Sequence, residues 1–465
     1  MALRVQDPDQ ENATGIPSRT WKIAAVAGAG AFMAMLDATV VNLAIPQLCA
    51  ELTASLATVQ WVVTGYLVAL ASSLPAAGWL GSRFGHGRTW AASLGLFTLG
   101  SVACATATGP LTLIGSRLAQ GLAAGVMVPS GQAVIASSVR RDQLGRIMGT
   151  LGLVIALGPA VGPGVGGLLL ETGSWRWLFW MNVPVGVVVL AAARGLIPPG
   201  EPDAGRRLDR LGLLLIGSGS PLALYGATQI GSAGVRAMPA MALVAGAVLI
   251  VAFIVAALRR HRPLIDLHLL RSRSVAGATG TVALTGASMY AGLLLLPLYL
   301  RASSGEPVTA TGFLLLVMGL GSALVLPVAG TLTDRHGARR VTTFGATLLA
   351  ITTLPFLAPS DPSTPALAVI LAARGAGLAL AQMPAMTAAY TAVARERVGD
   401  ATTLVNLAQR MGGAAGVVAV VIAIGHPGDG TGMYVGGFAV LMGAAVLILV
   451  AARPMRRAVG AAAAE

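Results

Sequence analysis

Gly78-Trp79-Leu80-Gly81-Ser82-Arg83-Phe84-Gly85-His86-Gly87-Arg88 and, 252 residues further on, Gly330-Thr331-Leu332-Thr333-Asp334-Arg335-His336-Gly337-Ala338-Arg339-Arg340 are two copies of one short basic loop. Each copy lies between long apolar stretches, so the two mark equivalent junctions in two related helical bundles. In a membrane chain, repeats of this kind point to a transporter whose substrate site lies near mid-membrane where the repeats meet.

The composition agrees. Of the 465 residues, 55% are hydrophobic and 11% charged, with a mean hydropathy of +0.78, whereas soluble domains carry about 25% charged residues. A water-soluble enzyme is excluded. A bilayer core takes about 20 apolar residues of helix. Fourteen stretches meet or approach this: 21–47, 57–80, 89–107, 110–134, 147–170, 177–198, 208–230, 237–258, 275–300, 309–332, 341–358, 364–390, 401–425 and 432–452. The 60 Gly and 25 Pro fit such helices, because lipid forbids unpaired backbone and small residues let helices approach closely.

Charge alternation supplies the topology. A net charge of +13 in a soluble chain would suggest nucleic acid, but cytoplasmic loops of membrane proteins collect Lys and Arg. With even-to-odd connections inside, 25 of the 31 basic residues fall on inside loops and tails, and only Arg176, Arg236 and Arg301 fall outside. One helix more or fewer would invert every later loop. Twelve spans would also keep both ends inside, but 208–230 and 237–258 are long, apolar and flanked by loops of the expected sign. The expected fold is an all-α integral membrane protein with fourteen transmembrane helices and both termini cytoplasmic. It comprises a tail 1–20, an N-terminal six-helix bundle 21–199, two inserted helices within 208–258, a C-terminal six-helix bundle 274–453 and a tail 454–465. Residues 1–20 and Pro198 to Asp203 read as disordered or linker. The first span is too long for a signal-peptide core and lacks a small-residue cleavage site, so it is expected to be retained.

Several motifs occur in order along the spans. Span one carries Leu36-Asp37-Ala38-Thr39-Val40-Val41-Asn42-Leu43-Ala44-Ile45-Pro46; span four carries Arg117-Leu118-Ala119-Gln120-Gly121; span five carries Gly158-Pro159-Ala160-Val161-Gly162-Pro163-Gly164-Val165-Gly166-Gly167. Trp175-Arg176-Trp177 through Asn182, Pro184 and Gly186 follows, and then Asn406 through Gln409, Arg410, Gly412 and Gly413. Together with the two loops, these stretches resemble the major facilitator superfamily and, within it, the fourteen-span drug:proton antiporter family, over about residues 21–453. The resemblance implies the major facilitator fold, with two six-helix bundles plus two extra helices, and proton-coupled export of lipophilic drugs or antibiotics by alternating access. It also implies a cytoplasmic loop latch drawn from Gly78, Arg83, Gly85, Arg88, Gly330, Asp334, Arg335 and Gly337. Ser82 stands where the family usually has Asp, the acid that helps to latch the two bundles. The span-five run resembles the family's antiporter motif, generally lacking in uptake systems, which argues against a nutrient symporter.

Asp37 is the one acid well inside a span. An ionised carboxylate there is costly, so a lone intramembrane acid is a proton-carrier candidate. From helix rise, Arg117 lies at a compatible depth and is the expected charge partner; the alternative is a packing arginine bonded to backbone carbonyls. Gly158, Pro159, Gly162, Pro163, Gly166 and Gly167 strip side chains from span five and weaken its backbone ladder, permitting close contact with, and bending against, the opposite bundle. The alternative is a static small-residue packing motif. For the substrate cavity the candidates are Asn42, Trp61, Tyr66, Gln120, Met127, Gln132, Tyr290, Tyr299, Asn406 and Gln409, since aromatic, Met and amide surfaces suit flat lipophilic compounds. With no second intramembrane acid, neutral or monovalent cationic substrates are expected over dications. Arg374 and Arg410 read as snorkelling or carbonyl-bonded.

His86, His261, His268, His336 and His426 all fall in loops, and neither a metalloprotease nor a phosphate-loop motif occurs. No enzyme activity, cofactor or metal is expected; the partners are the lipid bilayer, the small substrate and protons, with no nucleic acid. Cys49 and Cys104 form no framework. Thirty Arg against one Lys is what GC-rich coding produces and suggests a bacterial inner membrane.

Overall fold

The computed structural model describes residues 16–455 apart from 172, 234–235, 261, 304–307, 358–362 and 425–432. Among the described residues there is no strand. The helices are α1 (Ser18–Val40), α2 (Ile45–Glu51), α3 (Leu56–Ser73), α4 (Ala77–Phe84), α5 (His86–Ala105), α6 (Pro110–Ser138), α7 (Leu144–Glu171), α8 (Trp177–Trp180), α9 (Asn182–Leu196), α10 (Arg210–Ala233), α11 (Ala237–Arg259), α12 (Arg273–Ser303), α13 (Val308–His336), α14 (Ala338–Thr353), α15 (Thr364–Thr391), α16 (Val398–Ala423) and α17 (Val435–Ala451). The pairs α1–α2, α3–α4 and α8–α9 run on as single rods, and ten rods among the described residues are long and apolar enough to cross a membrane. The chain is a multi-pass membrane protein. α5 and α14 are not among them: α14 has 16 residues, and both helices begin with basic residues, Arg88 in α5 and Arg339 and Arg340 in α14. The tails expected at 1–20 and 454–465 lie mostly outside the described residues, but Ser18 to Thr20 are already helical.

The first nine helices pack on one another, with α6 against α3 and α5, and α1 against α7. In the second half α12 packs on α16 and α17, and α15 on α13 and α14. Small residues make these approaches possible: Gly121 of α6 faces the Tyr66 carbonyl of α3, and Gly345 of α14 lies against Ala381 of α15. α10 and α11 pair with each other, and α10 also touches α3 and α16, so it contacts both halves. α11 leaves Met238, Val244, Val248 and Val251 exposed, an apolar face of the kind lipid covers. The halves meet near the end that bears the two repeated loops, where α7 packs on α13 and α16 on α4. We call this the basic end. Gly85 and Gly337 occupy the same turn of the two copies with φ of +93° and +84°, a conformation glycine adopts without steric cost.

The stretch from Pro198 to Asp203, expected to be disordered or linker, lies in a connection, 197–209, that is held in place. The Arg88 and Asp203 N–H groups bond the Pro199 and Ser82 carbonyls at 3.2 and 2.8 Å. Arg83 donates to the Asp203 carbonyl at 3.3 Å, and the Trp79 indole to that of Arg206 at 3.2 Å.

Candidate functional site

Asp37 sits near the end of α1, fully enclosed, and its carboxylate is bound by three side chains from two other helices. Arg117 of α6 pairs with it at 2.5 Å, both side chains being 0% exposed. Asn182, the first residue of α9, donates to the same carboxylate at 2.9 Å, and Gln120 of α6 at 3.4 Å. The Arg117 guanidinium also bonds Gln120 Oε1 at 2.6 Å and the Val62 carbonyl of α3 at 3.1 Å. The Tyr66 ring covers it with 4.2 Å between guanidinium carbon and ring centroid. Gln120 reaches on to Ser101 of α5 at 2.7 Å. Five helices therefore converge on one ion pair. Removing one partner of such a pair strands the other charge, at a cost of about 3–5 kcal/mol, so losing either charge alone loosens the first half.

This placement puts Tyr66 and Gln120, two of the cavity candidates, against the ion pair, where the expected depth of Arg117 could have drawn them. Gln120 lies one turn from Arg117 on the same helix face. Asn182 and Ser101 carry no role in the sequence reading, because nothing local says which neighbouring helix a lone amide or hydroxyl will meet.

The remaining cavity candidates separate. Trp61 is 47% exposed at the start of α3, and Met127 is core, packed beside Gly30 and within the main apolar cluster. Tyr299 stacks edge-on with Phe356, Tyr434 and Phe438 in another core cluster. Gln132 of α6 accepts from Asn406 of α16 at 2.6 Å and from the Tyr390 hydroxyl of α15 at 3.3 Å, a polar tie between the two halves. Asn42 is exposed, its amide turned onto its own helix at the Ala38 and Thr39 carbonyls. Tyr290 is exposed and lies against Gly413, while Gln409 is half-buried beside Gly286. Arg374 does not snorkel: it is buried and donates to Thr353 and Ser288 hydroxyls at 2.8 and 3.2 Å.

The glycine run of α7 also packs elsewhere than expected. Side chains added at Gly158 and Gly166 would meet Met35 and Leu43 at 2.8 Å, and one at Gly162 would meet Thr39 at 2.5 Å. All three neighbours belong to α1 and the turn that follows it, in the same half of the chain. Spaced four apart, these glycines form one face, whereas Gly164 and Gly167 have open space around them. The side chains of Pro159 and Pro163 lie outside the described residues. Contact with the other half falls to the start of α7, where Gly149 lies against the Leu326 carbonyl and Gly145 against Gly330 of α13.

At that junction Asp334 accepts from the Gly145 and Arg146 N–H groups at 2.9 and 2.8 Å, capping α7 from the other half of the molecule. Gly78 lies against Gly399, Asp400 and Thr403 of α16. Arg88 and Arg335, expected in the latch, are exposed and make no side-chain bond among the described residues. Cys49 and Cys104 are free thiols. No group of three or more His, Cys, Asp or Glu among the described residues could hold a metal.

Comparison with known proteins places this arrangement. The sequence model of the Major Facilitator Superfamily matches residues 27–417. A multidrug resistance protein B homolog from Mycobacterium tuberculosis is 35% identical over 393 residues, covering 83% of this chain and 72% of its own. The riboflavin transporter RibZ of Clostridioides difficile is 28% identical over 373 residues, covering 78% and 79%. In fold, the crystal structure of the human organic anion transporter MFSD10 is similar at a TM-score of 0.63 and 14% identity, covering 95% of this chain and all of that one. The chain is thus a membrane transporter and no enzyme, and it belongs to the major facilitator superfamily.

Proposed function

We propose that the chain is a proton-coupled antiporter of the fourteen-span drug:proton type, exporting lipophilic neutral or monovalent cationic compounds across a bacterial inner membrane with both termini in the cytoplasm. In this reading 21–199 and 274–453 are the two moving bundles, 208–258 is the insert, and the basic end faces the cytoplasm.

The observation that carries the reading is the enclosed Asp37–Arg117 pair. Deprotonated Asp37 holds α1 to α6 and α9 through Arg117, Gln120 and Asn182. A proton on Asp37 cancels its charge and weakens every one of those bonds, so the two protonation states favour different packings of α1. α1 rides on the glycine face of α7, and the start of α7 is the surface that docks on α13. Proton binding at Asp37 is thereby linked to opening and closing at the basic end, which is what alternating access requires. Asn42, Tyr290, Asn406 and Gln409 supply polar contacts to substrate between the bundles. The 35% identical relative named for multidrug resistance supports export of drugs.

The test is uptake of ethidium into inside-out vesicles under an imposed inside-acid gradient, comparing wild type with Asp37→Asn at matched expression. Gradient-driven uptake that Asp37→Asn abolishes is the expected result. Uptake that survives the substitution removes Asp37 from coupling. The second reading is a proton-coupled transporter of one metabolite, favoured by the relative named a riboflavin transporter; it predicts no ethidium uptake but substrate-induced proton movement with a single compound.

A further inference from the structure

The two copies of the repeated loop close the basic end by different chemistry. Position 334 of the second copy corresponds to position 82 of the first, and the start of α7 corresponds to the start of α16. At the second junction the Asp334 carboxylate caps α7 directly. At the first junction position 82 is a serine, and the acid stands on the other side, as Asp400 in the first turn of α16.

The gap is bridged by neither half but by the linker. Arg206 donates through Nη1 to the Ser82 hydroxyl at 2.7 Å and through Nη2 to Asp400 Oδ1 at 2.6 Å. The pair is well enclosed, with side chains 20% and 7% exposed. The linker is aligned for this by its bonds to Ser82, Arg83, Arg88 and Trp79, all on the first half. It then runs straight into the insert, where Asp209 pairs with Arg260 and caps α10 at the Gly212 N–H. The His86 ring fills the remaining space, wedged between Gly81 and Gly399. Burial and the Arg206 charge push that imidazole down to about 4, so the wedge is neutral at physiological pH.

We propose that the linker 198–207 is a third component of the gate, and that Arg206 is the positioning residue that latches α4 to α16 through Ser82 and Asp400. The bundles cannot part at the basic end without Arg206 releasing one of its two partners, which ties gate opening to the strap leading into α10 and α11. The inference rests on alternating access by the two halves, not on the substrate.

Cysteine accessibility tests it without any transport assay. In a Cys49→Ser background, Val134→Cys reports on the basic end, since Val134 is 2% exposed and borders a partly open cavity of about 900 Å³ whose lining includes Arg206, Asp400 and the linker. Asn42→Cys, near the far end of α1, reports on the opposite side. Arg206→Gln and Asp400→Asn should each speed labelling of Val134→Cys by an impermeant maleimide several-fold and slow that of Asn42→Cys. The two together should do no more than either alone, and Arg206→Lys, reaching one partner only, should fall between. Unchanged rates overturn the proposal, as does additivity of the two substitutions. Faster labelling at both reporters also overturns it, because that marks loosening of the whole molecule. A failure of ethidium transport leaves these rates untouched and so strikes the proposed substrate class alone.

Discussion

Asp37 and Arg117 were legible from sequence because an acid within a span is rare and costly enough to demand a partner. Their surroundings were not. Tyr66 and Gln120 have the chemistry of a drug pocket, yet they serve the ion pair, and Asn182 and Ser101 complete it from helices far away in sequence. The arrangement gives a clear expectation. Arg117→Ala leaves Asp37 as an enclosed charge without its cation and should destabilise the protein by about 3–5 kcal/mol, read as a lowered Tm in detergent. Pairing Arg117→Gln with Asp37→Asn removes both charges and should recover most of that Tm while leaving gradient-driven transport absent. A double variant as unstable as Arg117→Ala would mean that the pair's charges are not what the core depends on.

Among elements, α7 shows how a motif can be visible and its neighbour hidden. The glycine-rich run predicts a helix face stripped of side chains, but glycines spaced four apart fit any partner helix. Only the packing reveals that Gly158, Gly162 and Gly166 seat α1, and that Gly145 and Gly149 seat α13. Alanine at Gly158 or Gly162 forces α1 aside and should cost about 1–3 kcal/mol. Alanine at Gly164 or Gly167, where space is open, should leave Tm unchanged or slightly raised. Equal effects at all four positions would show that helix propensity, not contact with α1, is what the glycines control.

On the scale of the whole molecule, the basic end is closed by two latches with separate partners. Asp334→Ala removes the cap on α7, worth about 1 kcal/mol, which is roughly a fivefold shift in an equilibrium. Labelling of Val134→Cys should accelerate accordingly. Combined with Arg206→Gln the two effects should add, since distant sites without shared partners act independently. Less than additive acceleration would mean that the two latches release as one unit.

Sequence by itself determined that this chain lives in a membrane, that it carries one loop motif twice, and that one intramembrane acid needs a partner, with Arg117 at a compatible depth. Those conclusions follow from hydropathy, periodicity and the cost of charge in hydrocarbon, all of which are properties of the chain read in order. Tertiary structure alone decided which helix each glycine face receives, which polar residues gather at Asp37, and that Arg206 of the linker stands between Ser82 and Asp400. Each of these joins residues that are distant in sequence and unremarkable locally, so only the packed arrangement of the helices brings them within bonding distance.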